Sequence, residues 1–291
     1  MKGTGMTPRE AFHRTIKVIA IWRRVRYLSI LAVLLLLSGG MVYGSEEGSE
    51  QDLAKAAQNP VADLISLPFQ NNTNFGLGEY DRTQNVLNIQ PVIPFGAGPF
   101  NIITRTIAPV IYQPDLGGSD GGISGLGDTS FTAWVSPAKP GKLVWGIGPA
   151  LSLPTATDPQ LGTKKWGIGP SVIGLITPGK WVVGAFFNNI WSFAGDSDRP
   201  DVSRFLLQYF INYNLSNGWY LVTAPIITSD WKVEAGERWV VPFGGGLGKI
   251  FRIGGQPVNA NAQVFVNAEK PENGPDWGVR FQFQFLFPKG R

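Results

Sequence analysis

Apolar and polar residues alternate with period two through much of the chain beyond residue 64. From Phe205 to Leu215 the odd positions are Phe205, Leu207, Tyr209, Ile211, Tyr213 and Leu215, with Gln208, Asn212 and Asn214 between them. Val258, Ala260, Ala262, Val264, Val266 and Ala268 form a second apolar row. It opposes Asn259, Asn261, Gln263, Asn267 and Glu269, with Phe265 on the amide side. In a third row, Val279, Phe281, Phe283, Phe285 and Phe287 oppose Arg280, Gln282 and Gln284. Period two puts alternate side chains on opposite faces of a strand. No long 3.6-residue period follows residue 60, and turn residues recur between the runs, which predicts an all-β chain.

The turn signals delimit twelve strands: 64–78, 86–94, 101–113, 124–136, 143–154, 166–177, 181–193, 203–215, 218–228, 239–250, 258–269 and 277–287. Connections after even strands are the shorter set on average (95–100, 137–142, 178–180, 216–217, 251–257). Those after odd strands, 79–85, 114–123, 155–165, 194–202, 229–238 and 270–276, hold most of the acids. Outer-membrane barrels have this asymmetry, with short periplasmic turns and longer extracellular loops.

A soluble sandwich would show the same alternation with its apolar face inward. Two features favour the inverted arrangement. The apolar rows are aromatic, with Trp181, Trp191, Trp219, Trp239, Trp277 and Tyr213 near strand ends, as interfacial girdles require. The other face carries uncharged amides, and charged residues make up only 16% of the chain against roughly 25% in soluble proteins. The expectation is a single transmembrane antiparallel up-and-down β-barrel over 64–291, closed so that no backbone edge meets lipid. Pro91, Pro94, Pro109, Pro149, Pro170, Pro225 and Pro242 sit inside these strands. A closed barrel has no free edge for a missing donor, so bulges or kinks are expected at several of them. Trp145-Gly146-Ile147-Gly148-Pro149 recurs as Trp166-Gly167-Ile168-Gly169-Pro170, which fits two neighbouring strands.

The formal charge of +4 comes from the N-terminus: residues 1–44 hold seven of the 25 Lys and Arg against one acid, Glu10. Arg23, Arg24 and Arg26 precede an apolar core from Leu28 to Leu37 and a small-residue site at Val42-Tyr43-Gly44. This reads as a signal peptide over 1–44. Residues 45–63 follow as a periplasmic segment, forming a short helix or a plug. Beyond residue 44 no Lys/Arg stripe interleaves with aromatics, so nucleic acid is not an expected partner. There is no cysteine, which excludes disulfides and thiol chemistry. The only histidine is His13, so a Ser-His-Asp hydrolase or a His-ligated metal site lacks its usual agent. No enzyme, cofactor or metal is expected.

Two motifs invite chemistry and fail on spacing. Gly244-Gly245-Gly246-Leu247-Gly248-Lys249 lacks the phosphate-loop spacing and suits a curved strand. Asp196, Asp198 and Asp201 lack the spacing of a calcium loop. The candidate lumen-lining residues are the in-strand charges Arg105, Asp128 and Arg280 and the amides Gln208, Asn212, Gln263, Gln282 and Gln284. Charge facing a lumen tunes selectivity.

The stretch Ala57-Gln58-Asn59-Pro60-Val61-Ala62-Asp63-Leu64-Ile65-Ser66-Leu67-Pro68-Phe69-Gln70-Asn71-Asn72 resembles the opening of proteins filed under the meta-pathway of phenol degradation, some of them mislabelled neuromedin U. Gly125-Leu126-Gly127-Asp128 and Leu153-Pro154-Thr155-Ala156-Thr157 are similar too. The resemblance implies a Gram-negative outer-membrane barrel that carries small, aromatic or hydrophobic compounds. The expected function is passive uptake of such solutes. The alternative is a closed structural or surface-binding barrel acting through its extracellular loops. Expected partners are outer-membrane lipid and lipopolysaccharide, the solute, and the barrel insertion machinery.

Overall fold

The structure, a computed structural model, describes residues 47–117 and 121–288. The signal peptide expected over 1–44 lies outside the described residues. A helix, α1 (Glu47–Ala57), precedes fifteen strand segments. These are β1 (Ile65–Leu77), β2 (Arg82–Ile89), β3 (Val92–Ala97), β4 (Phe100–Pro114), β5 (Gly122–Leu126), β6 (Thr129–Pro137), β7 (Leu143–Leu153) and β8 (Lys165–Ile176). They continue with β9 (Trp181–Gly195), β10 (Ser203–Asn214), β11 (Trp219–Thr223), β12 (Ile226–Asp230), β13 (Trp239–Ile253), β14 (Gln256–Glu269) and β15 (Trp277–Phe287). Every pairing is antiparallel, and β1 meets β15 from Ile65↔Phe287 to Phe75↔Trp277, which closes the sheet. Three barrel strands are each split in two, β2/β3, β5/β6 and β11/β12, so the fifteen segments make a twelve-stranded barrel.

One end of the barrel carries the tight connections, 98–99, 138–142, 177–180, 215–218 and 254–255. Asn217 and Gly218 both have positive φ (57° and 73°), as do Gly254 and Gly255 (53° and 88°). Two consecutive left-handed residues are what a primed hairpin turn needs, and Asn-Gly and Gly-Gly supply them at little cost. The opposite end carries the longer, acid-rich loops.

The prolines account for the barrel's irregularities. Pro91 follows the end of β2, and Pro225 separates β11 from β12. Pro149 faces Pro170 directly across the β7–β8 hairpin, so the two WGIGP motifs are antiparallel neighbours. On their outer sides both ladders are interrupted. The β6–β7 pairing skips from Thr132↔Ala150 to Val135↔Ile147, and β8–β9 skips from Ile168↔Trp191 to Ser171↔Asn188. Proline has no N–H to offer there. The adjacent glycines let the neighbouring backbone close in: a Cβ on Gly148 would strike the Ala133 carbonyl, and one on Gly169 the Asn189 carbonyl.

Outside, the barrel presents large apolar side chains, including Trp145, Ile168, Phe187, Phe193 and Leu247, with Phe243 as much as 74% exposed. Aromatic contacts mark both ends. Trp181 meets Tyr213 at 4.6 Å near the tight turns, while Phe75 stacks on Trp277 at 4.3 Å near the long loops.

Candidate functional site

The lumen has two unlike halves. On the β4, β6, β8 and β9 side, Ile103, Trp134, Ile173, Leu175, Val182 and Phe186 form a buried apolar cluster. Toward the tight turns β8 and β9 are apolar on both faces, so Trp181, Val183 and Ile176 cover the outside while Ile173, Leu175, Val182 and Phe186 fill the interior. Trp134 crosses toward β8, donating from its indole Nε1 to Ser171 Oγ at 3.0 Å and meeting Phe186 edge-on.

The other half, on β14, β15, β1 and β2, is built of amides. Tyr220 donates its hydroxyl to Asn259 Oδ1 at 2.6 Å, Asn259 donates to Gln284 at 3.0 Å, and Gln263 donates to Asn261 at 3.0 Å. A Cβ on Gly248 would strike the Tyr220 ring, so this glycine makes room for it. A second chain runs from Arg105 Nη2 to Gln90 Oε1 at 2.9 Å, then from Gln90 to Gln70 at 3.1 Å and from Gln70 to Gln282 at 3.3 Å. Satisfied amides of this kind lose little on burial, whereas an orphaned one is costly.

The break at Pro225 positions the second cation. Ala224 lies between the two segments of its strand, and its N–H and C=O turn inward. Gln263 Oε1 accepts from the Ala224 N–H at 3.0 Å, while the Ala224 carbonyl accepts from Arg280 Nη1 at 2.6 Å and Gln208 at 3.3 Å. Arg280 Nε also donates to Asn72 at 2.9 Å, and its guanidinium lies 4.8 Å from the Phe265 ring centroid. The Arg105 guanidinium lies 5.2 Å from that of Phe186.

Arg105, Gln208, Asn212, Gln263, Arg280, Gln282 and Gln284 all line one cavity of about 160 Å³. Asp128 does not line this cavity. It occupies the break between β5 and β6. There its Oδ2 accepts from the Thr163 N–H and hydroxyl, both at 2.7 Å, and the Ala156 N–H reaches Oδ1 at 3.3 Å. Its carboxylate holds the 154–164 loop. Gln70, Gln90, Asn259, Asn261 and Tyr220 line the cavity as well and stand outside the expected set. Asn259 and Asn261 share the polar row of Gln263, a signal that was available. Tyr220 had none, because its apolar neighbours do not separate lumen from exterior.

The segment after α1 closes the tight-turn side of this cavity. Gln58 exchanges hydrogen bonds with Asn214, at 2.9 Å and 3.2 Å. Ala54 packs with Tyr220, Val222 and Ile250, and Val61 joins the apolar cluster around Trp134.

At the far end the acidic loop binds its own groups. Asp196 accepts from the Asp198 N–H at 3.0 Å and pairs with Lys164 at 3.2 Å, and Lys165 reaches Asp201 at 3.4 Å. The Asp198 N–H and then Lys164 hold the Asp196 carboxyl below the usual carboxylate range. Among the described residues no group of acids is arranged to hold a metal.

No protein-family model matches the sequence, and no curated protein matches it. Among solved structures the chain is similar to an outer membrane channel from Pseudomonas putida F1, with a TM-score of 0.59 and 17% identity over 77% of this chain and 94% of that one. It is also similar to outer membrane phospholipase A from Escherichia coli, with a TM-score of 0.43 and 12% identity over 84% of this chain and 99% of that one. At such identities the first likeness extends to the fold alone, and the fold is that of a bacterial outer-membrane β-barrel.

Proposed function

We propose that this chain is an outer-membrane channel for passive passage of small solutes. The observation that carries the reading is an amide-lined cavity inside a closed barrel whose outer wall is apolar. Twelve strands enclose more than the side-chain-filled lumen of eight strands and less than the aqueous channel of a porin. The resemblance of residues 57–72 to the phenol-degradation family favours solutes that are aromatic or hydrophobic. The long loops face outward and the tight turns face the periplasm, with the mature chain delivered by its signal peptide and inserted by the barrel machinery. The seating of Gln58 and Val61 favours a barrel narrowed at rest by its own N-terminal segment. No catalytic role is proposed.

Single-channel recording in planar bilayers tests this directly. The mature chain from Ser45 is expected to give discrete, small conductance steps. Deleting residues 45–62 is expected to enlarge them several-fold. Silence from both proteins, each shown to be folded, would overturn the channel reading in favour of a structural barrel acting through its loops. Equal conductance from both would leave a channel but remove the plug.

A further inference from the structure

The two arginines in the cavity have no acid beside them. Among the described residues no Asp or Glu lines this space, and neither Arg105 nor Arg280 belongs to an ion pair. Arg280 is only 7% exposed, and the two guanidinium groups repel one another. Cations held this deep are costly unless paired. The barrel wall holds each group along one side only. Arg105 spends Nη2 on Gln90, and Arg280 spends Nε and Nη1 on Asn72 and Ala224. The remaining guanidinium nitrogens, Nε and Nη1 of Arg105 and Nη2 of Arg280, have no protein acceptor among the described residues. Their positions are set by rings and amides, so they are pre-organised donors without a partner.

The same cavity has an apolar side. Phe186, Phe210 and Val222 line it together with the arginines. Its volume of about 160 Å³ is close to the roughly 150 Å³ that accommodates a benzene ring. Such a site offers an anion two cationic donors and offers a compact apolar body a matching surface.

We propose that the cavity is a binding site for a small organic carboxylate with a ring-sized apolar body, its carboxylate held by Arg105 and Arg280. Guanidinium donors match a carboxylate in geometry and charge. Phe186, Phe210 and Val222 receive the apolar part. The inference deepens the channel reading, since it names the solute class, and it rests on that reading only for the claim that the site lies on a transport route.

The test is isothermal titration of the refolded mature chain with benzoate, benzamide, acetate and inorganic phosphate. Benzoate is expected to bind one to one and at least tenfold more tightly than each of the others. Arg105→Gln and Arg280→Gln are each expected to weaken benzoate by tenfold or more, with little change for benzamide. Benzamide equal to benzoate would overturn the role of charge. Phosphate or acetate equal to benzoate would overturn the role of the apolar body. These two comparisons use the unaltered protein, so they stand even if a variant misfolds. Conductance measured in parallel separates this inference from the channel reading. A conducting barrel indifferent to benzoate sinks the former alone, and a silent barrel that binds benzoate sinks the latter alone.

Discussion

The β6–β9 half of the lumen and the β14–β2 half are made from the same local structure and filled in opposite ways. In the first, Trp134, Ile173, Leu175 and Val182 close the interior with apolar volume, and Phe186 stands at its border with the cavity. In the second, Asn259, Asn261, Gln263, Gln282 and Gln284 line a cavity, where Asn72 and the Ala224 carbonyl hold Arg280. An interior packed with rings and branched chains stabilises the barrel and passes nothing. One lined by amides stays hydrated, positions charge and gives up some stability to do so. A barrel of this size accommodates both, and the division of labour follows from which strands point apolar side chains inward and which point amides.

The comparison breaks most visibly at Trp134. Replacing it with alanine removes a ring that is 1% exposed and is expected to destabilise the barrel by about 3–5 kcal/mol. Denaturant unfolding followed by tryptophan fluorescence measures this, and an unchanged midpoint with altered permeation would reverse the roles of the two halves. In the amide half, Tyr220→Phe takes the hydroxyl from Asn259, to which it donates, and from Asn261, which donates to it, and is expected to cost about 1–3 kcal/mol. The same unfolding assay reads it. A loss as large as that for Trp134 would mean that the amide half also carries the fold.

Outside the lumen, Asp196 shows what a solvated charge does. Its folded-state pKa lies below its unfolded value, so its stabilising contacts are present at neutral pH. They fade as pH falls below about 4, through the folded value. Because the Asp198 N–H is the largest single cause and remains when Lys164 is replaced, Lys164→Gln is expected to raise the Asp196 titration midpoint only part of the way to its ordinary position. Carboxyl NMR would detect this, and full restoration would show that the ion pair dominates. No change in barrel stability is expected from this variant, since exposed pairs contribute little.

Much of the candidate site was legible in the chain. Gln208, Asn212, Gln263, Arg280, Gln282 and Gln284 stand opposite apolar rows, and Arg105 is a lone charge in an apolar run, so period two alone directs attention to them. Asp128 stands apart from them: Gly127-Asp128 reads as strand interior in sequence, whereas the strand breaks there and the carboxylate is taken by loop donors. The in-strand prolines were visible as a difficulty. That Pro225 would free the Ala224 carbonyl for Arg280, 56 residues away, was not.

The sequence by itself determined the strand number, the alternation within the strands and the two kinds of connection. These depend on local rules: the two-residue period of a pleated strand and the turn residues that permit reversal. Only the tertiary structure decided which apolar residues fill the interior. The end of β8 from Val172 to Ile176 is apolar on both faces, and period two separates two faces without saying which is inside. It also decided that Arg105 and Arg280 share one cavity and that Gln58 meets Asn214 across 156 positions. Closure and register bring such groups together, and they belong to the whole sheet rather than to any single strand.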